Sequence, residues 1–205
     1  LLNPLDDRAD CWSPWVDVPR DYHYDQIAES TIPDKGGDPF WAKAARGTLV
    51  AVLRKLARHE RTLVSGLLET VLRSPLKTLA SFAEGTDAAA FISMEGDRTS
   101  AGIRAELASV MRSFSYLDDT ADGFSIRDWV ANEKDDSWLF ITVKADHLPS
   151  LRPLITVWLD IAISAIMSMT PDRNRRLYCV IDELPTLQKL PSLGDFLARA
   201  RKYGG

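Results

Sequence analysis

The chain has 205 residues, enough for one large domain or two small ones. Hydrophobic residues make up 45% and charged residues 26%, an ordinary soluble globular composition. A formal net charge of −4 excludes a surface-wide basic clamp for nucleic acid, so any DNA contact is local or depends on assembling several copies.

Taken in order, LLNP at residues 1–4 reads as the tail of a strand already under way, closed by Pro4. The sequence is therefore expected to be a piece of a longer protein, with no signal peptide. Trp12 and Trp15 bracket a Ser-Pro turn and are expected to anchor this loop on the helices that follow. Residues 22–30 form a short helix candidate, and PDKGGDP at 33–39 is a break. Leu49, Val52, Leu53 and Leu56 have helical spacing, with Arg54, Lys55 and Arg58 opposite, which predicts a long helix over 40–59.

A further helix is predicted over 63–72. Ser74 and Pro75 read as the N-cap and first position of the next, which Glu84-Gly85 ends. A short helix at 87–92 precedes a long one at 99–117, with Ile103, Leu107, Val110, Met111 and Phe114 on one face. No strand pattern falls between about 22 and 117, so this half reads as an all-helical unit.

After a linker at 118–123, SIRD at 125–128 resembles a capping box opening a short helix through Ala131. WLFITV at 138–143 reads as an apolar strand. Residues 148–169 read as a helix that is apolar almost all round. Asp160 and several Ser and Thr within it favour a buried helix over a membrane span. A basic turn at 171–176 leads into LYCVIDELP at 177–185, whose apolar run predicts a strand buried on both faces. Strand, helix, strand in this order is a βαβ unit with parallel strands and a right-handed crossover. An amphipathic helix over 192–203, with Leu193, Phe196, Leu197 and Ala200 inward, closes the chain.

Asp182 and Glu183 follow the second strand directly, at the carboxyl edge where open α/β sheets bind ligands. A nucleoside triphosphatase uses such a pair, the Walker-B arrangement: one acid holds Mg²⁺, usually through water, and the next orients or deprotonates the attacking water. The plain alternative is a carboxylate pair stabilised by the N-terminus of the following helix. Cys11 and Cys179 lack paired spacing and read as reduced thiols, Cys179 inside the predicted buried strand. His23, His59 and His147 show no metal-ligand spacing.

Several segments together resemble the TraD-type coupling proteins of conjugation and type IV secretion. They are LLNPLDDR with its Trp-rich loop, DPFW, FSIRDW, WLFITVKAD, SLRPLI, RNRRLYCVIDELPTLQKLPSL and RARKYGG, in the family's order across nearly the whole chain. The resemblance implies α/β plus all-α architecture: a RecA-like parallel-sheet nucleotide-binding domain interrupted by an inserted helical domain. On that reading residues 1–10 end a nucleotide-domain strand, 11–118 are the all-α insertion, and 119–205 are the returning, Walker-B portion.

It also implies an ATP- and Mg²⁺-dependent hexameric motor at the cytoplasmic face of the bacterial inner membrane, anchored by a segment not present here. Its implied partners are relaxase and relaxosome proteins, single-stranded DNA and the secretion channel. Asp182 matches the Mg²⁺-binding acid and Glu183 the acid that activates water. Arg201 matches an arginine offered to the γ-phosphate on the neighbouring subunit, although cations are favoured in a helix's last turn in any case. The glycine-rich phosphate loop with Lys and Ser/Thr has no counterpart in these residues, so the chain alone is expected to be inactive.

Arg173, Arg175 and Arg176 could serve nucleic acid but read first as a solvated cluster, and Lys144 with His147 could face a central pore. The six tryptophans read as core or domain-joint residues before base-stacking platforms. The competing reading is a non-catalytic helical module that docks relaxosome proteins or DNA.

Overall fold

The computed structural model describes residues 1–203 apart from Lys35, Glu60, Arg61, residues 93–96, Asp135, Arg173 and Glu183. Among the described residues the regular structure is helical. The helices are α1 (Tyr22–Thr31), α2 (Pro39–Arg58), α3 (Val64–Leu68), α4 (Leu76–Ala83), α5 (Asp97–Met111), α6 (Ile126–Ala131), α7 (Leu148–Met167) and α8 (Leu193–Arg199).

Helix α2 starts as its sequence dictates. Asp38 accepts the Phe40 N–H at 2.9 Å, Pro39 fills the first turn, and Gly36 and Gly37 supply the positive φ of the preceding turn. Its apolar stripe, including Leu49, Leu53 and Leu56, is buried. Arg54 on another face pairs with Asp21 at 2.8 Å and Asp25 at 3.0 Å, tying α2 to the start of α1. The predicted stripe of α5 is also buried, and its chain continues as a 3₁₀ turn over Arg112–Tyr116 that buries Phe114.

The expected cap at Ser74 is different in the structure. α3 passes into a π turn over Glu69–Arg73, and the Ser74 hydroxyl donates back to the Thr70 carbonyl at 2.6 Å. The open carbonyls of that turn take the hydroxyl, so α4 begins after Pro75 without a side-chain cap.

Helix α7 joins the two halves. It packs against α1, α6, α8 and the 112–116 turn. Trp158 on α7 meets Trp12 edge-on, with ring centroids 5.9 Å apart at 81°, and Trp12 meets Phe114 at 6.4 Å. Trp15 donates to the Leu53 carbonyl at 3.2 Å. The N-terminal loop is thus pinned by its tryptophans, as its sequence predicts. α7 is long and apolar enough to cross a membrane, but 67% of its most apolar window is buried within the fold.

The two predicted strands are the largest departure. Leu2 donates to the Phe140 carbonyl at 2.8 Å and accepts from the Thr142 N–H at 3.2 Å, a parallel bridge between Leu2 and Ile141. No longer ladder forms among the described residues. Residues 177–181 are not paired to a neighbour; Tyr178 is 79% and Val180 82% exposed, and Cys179, expected in a buried strand, is exposed too. A buried parallel strand needs neighbours on its edges and cover on both faces. Here 138–143 has the bridge at Leu2 alone, and 177–181 has α7 beneath one face. Leu197, expected inward on α8, is 76% exposed, while Phe196 and Ala200 are buried. α8 contacts α7 along a narrow stripe, and Leu197, one residue round from Phe196, turns away from it.

Candidate functional site

Residues 139–143 and 177–182 form the walls of a cavity of about 540 Å³. Its floor is a stripe of α7, Ile155, Leu159, Ala162 and Ile166, spaced four, three and four residues apart as one helix face requires. Along 138–143 exposure alternates: Leu139, Ile141 and Val143 are half-buried, while Trp138, Phe140 and Thr142 are exposed. The Trp138 and Phe140 rings stack on that outer side, 6.2 Å apart at 20°. This period-two pattern is that of strands whatever their pairing.

Asp182 closes one end of the cavity beside Thr186 and Leu187. It is exposed and, among the described residues, has neither an ion pair nor a hydrogen-bond partner. An uncommitted carboxylate at the end of an apolar extended segment is a hard oxygen donor free to hold a divalent cation directly or through water. Glu183 lies outside the described residues; a 3₁₀ turn over Leu184–Thr186 follows it. Arg201 is exposed on the 3₁₀ turn Ala200–Tyr203 beyond α8, and no contact joins it to Asp182. The chain therefore brings Asp182 to the cavity, while Arg201 is not among the cavity's lining residues.

The basic turn divides in function. Arg175 bonds the Val130 carbonyl, the Asn132 carbonyl at 3.4 Å and the Met169 sulfur at 2.9 Å, so it ties α6 to the end of α7 and is not a free cation. Arg176 is exposed and Arg173 lies outside the described residues. His147 stands 3.6 Å from Asp146, and Lys144 is exposed.

A second cavity, about 560 Å³, lies between residues 3–12 and Leu117, Asp118 and Trp158. Several of its polar groups are already engaged. Arg8 bonds Asp6 through its backbone and guanidinium and holds that carboxyl well below the usual range. The Cys11 thiol donates to Asp118 at 3.1 Å, and this bond raises its pKa, which disfavours the reactive thiolate.

Sequence reasoning missed a buried hub. Asp17, fully buried, accepts from Trp12 Nε1 at 2.7 Å, Ser125 Oγ at 2.9 Å, the Ile126 N–H at 3.2 Å and the Arg127 N–H at 2.9 Å. It thereby caps α6, while Ser125 Oγ takes the Asp128 N–H at 3.1 Å. A lone Asp in a loop carries no periodic signal. The nearest clue is that the SIRD segment offers more backbone donors than Ser125 alone can accept.

A family model for the DNA-binding domain of type IV secretion-system coupling proteins matches residues 1–205. Coupling protein TraD of Escherichia coli (strain K12) is 36% identical over 213 residues, covering 100% of this chain and 30% of TraD. Plasmid coupling protein TrwB in complex with the non-hydrolysable GTP analogue GDPNP superposes with a TM-score of 0.89 at 33% identity, covering 99% of this chain and 49% of that one. TrwB in complex with ADP and Mg²⁺ matches with the same TM-score, identity and coverage. The chain thus spans less than half the length of these relatives.

Proposed function

Because the chain belongs to the coupling proteins of type IV secretion systems, we propose that it supplies the acid-bearing half and the helical insertion of an ATP-driven conjugative motor. In the longer protein that motor is a hexamer on the cytoplasmic face of the inner membrane, anchored by another segment. It recruits the relaxosome and passes relaxase-bound single-stranded DNA to the secretion channel. The division is 1–10 and 119–205 for the nucleotide domain and 11–118 for the all-α insertion.

The observation that carries this reading is the parallel bridge between Leu2 and Ile141, followed by α7 and the extended run into Asp182. Were 177–181 paired beside 138–143 in the longer protein, this extended–helix–extended order would be a βαβ crossover with Asp182 at the carboxyl end of a parallel layer, where phosphate ligands are held. The apolar walls at 139–143 and 177–181 are those of a sheet completed by further strands of the longer protein, which makes the nucleotide domain RecA-like.

The residues fit the metal side of a nucleotide site. Asp182 has its oxygens free for a hydrated Mg²⁺, and the glycine-rich phosphate cradle is absent from these 205 residues. Bound Mg²⁺ neutralises charge on the β- and γ-phosphates. Glu183 holds and deprotonates the attacking water. Arg201, exposed on the turn beyond α8, is offered to the γ-phosphate of the neighbouring subunit, where it would stabilise charge on the transferred group. This chain alone neither binds ATP tightly nor hydrolyses it.

The test is Glu183→Gln in the full-length protein. ATP affinity is retained while turnover and conjugative transfer fall by roughly a hundredfold or more, the worth of a positioned general base. Unchanged turnover would remove Glu183 from the mechanism. Single-stranded DNA or relaxase binding by the variant at wild-type affinity, with wild-type transfer, would favour the docking-module reading.

A further inference from the structure

Asp160 sits in the middle of α7, fully buried, and nothing in the chemistry above uses it. Its Oδ2 accepts from Ser30 Oγ at 2.7 Å and Gln26 Nε2 at 3.1 Å, both on α1. Its Oδ1 accepts the Ser192 N–H at 2.9 Å, at the N-cap of α8. No ion pair to Asp160 occurs among the described residues. A buried carboxylate with no direct ion pair costs several kcal/mol to desolvate; the Arg127 charge behind Gln26 offsets part of this, and the hydrogen bonds fix the arrangement.

The donors come from two separate parts of the chain. α1 opens the helical unit; Ser192 opens the short helix that leads to Arg201. We propose that Asp160 is a positioning residue that couples the helical unit to α8, the helix that leads to Arg201, each of its two oxygens holding one side. This rests on the reading of Arg201 given above only for its effect on turnover; the mechanical coupling stands on the hydrogen bonds alone.

The surroundings make the joint directional. Gln26 cannot rotate its amide to suit a changed partner, because its Oε1 is bonded by Arg127. Arg127 in turn donates to the Asp17 carbonyl at 2.9 Å, next to the hub that caps α6. The Ser192 hydroxyl does not cap α8, and the acceptor of the Ser192 N–H is Asp160 Oδ1. A displacement of α1 therefore pulls on one oxygen of a rigid planar group whose other oxygen sets where α8 begins. Arg201 lies nine positions further along, on a turn that packs against α7.

The experiment uses Asp160→Asn and Ser30→Ala in the full-length protein, with amide hydrogen exchange read over residues 190–199. The amide of Asp160→Asn keeps one acceptor and must turn its NH₂ toward either α1 or Ser192. Exchange over 190–199 is expected to rise roughly tenfold in that variant, the loss of one charge-assisted bond. Ser30→Ala, on the other helix, is expected to raise it about threefold. The double variant should match Asp160→Asn alone, since both act through one carboxylate. Unchanged exchange over 190–199 in Asp160→Asn, or additive effects in the double variant, would overturn the proposal.

Turnover separates this from the functional reading. Asp160→Asn is expected to lower kcat for ATP severalfold with KM unchanged, as for a displaced arginine acting after binding. If exchange responds as described and kcat does not, the joint stands and Arg201 loses its assigned role.

Discussion

Replacing Asp17 by Asn should destabilise the protein by about 3–6 kcal/mol, although the change is a single atom. In the native side chain each oxygen accepts two donors: Ser125 Oγ and the Arg127 N–H on one, Trp12 Nε1 and the Ile126 N–H on the other. An amide offers one acceptor and one donor. Its least costly orientation turns the NH₂ toward Ser125, whose hydroxyl can reverse and accept, and leaves the Arg127 N–H orphaned. Losing one charge-assisted bond costs about 1.5–3 kcal/mol and an orphaned buried N–H a further 1–3 kcal/mol. Loss of a negative charge from the N-terminus of α6 adds about 0.5 kcal/mol. For a chain of this size the combined loss corresponds to a Tm fall of roughly 10 °C. Thermal unfolding followed by tryptophan fluorescence measures it, with Asp7→Asn as an exposed control expected within about 0.5 kcal/mol of wild type. A Tm fall in Asp17→Asn no larger than in the control would refute the hub.

A Cβ at Gly123 would come within 2.8 Å of the Cys11 carbonyl, which already accepts the Phe124 N–H. Gly123→Ala should therefore cost about 1–3 kcal/mol by denaturant titration, whereas Gly194→Ala, with open space around it, should be neutral or slightly stabilising. His23 is buried, and burial first, then Arg127, lowers its pKa below the ordinary 6.5. Its contribution is complete above pH 6.5 and is lost as pH falls through the lowered value, so the urea midpoint should drop between neutral and mildly acidic pH, and His23→Asn should flatten that slope. Arg201→Ala in the full-length protein should leave ATP affinity intact and lower turnover by roughly a thousandfold, as for an arginine finger. Turnover restored in assemblies mixed with Glu183→Gln subunits would place the two residues on opposite sides of one interface.

The helices were legible because their apolar spacing is local: Leu49, Val52, Leu53 and Leu56 predict the buried face of α2 without reference to anything distant. The start of α6 was legible because one side chain, Ser125, decides it; the Asp38 cap of α2 lay inside a segment read only as a break. Ser74 was misread because its hydroxyl had two competing uses, and the π turn before it took precedence. The run at 177–181 records the surroundings a strand is suited to, while ladder pairing depends on neighbours. The bridge at Leu2 reaches only 138–143, so the exposure of Tyr178 and Val180 could not be read from the run itself. Asp182 lines the cavity at the end of that run, but the run is an exposed extended segment and not the buried strand that the sequence predicts. Asp17 and Asp160 were silent because hydrogen-bond hubs are assembled from segments more than a hundred residues apart.

Helix α7 has a consequence for how such proteins diversify. One of its faces packs on the helices that precede it and another on the extended segments that end in the acid. Swapping residues 22–117 between two coupling proteins would graft a foreign bundle onto a mismatched base unless Leu154, Trp158, Asp160 and Ile161 travelled with it. That helical stretch is contiguous in sequence but not a detachable cartridge, and its sequence drift is tethered to that of a helix outside it.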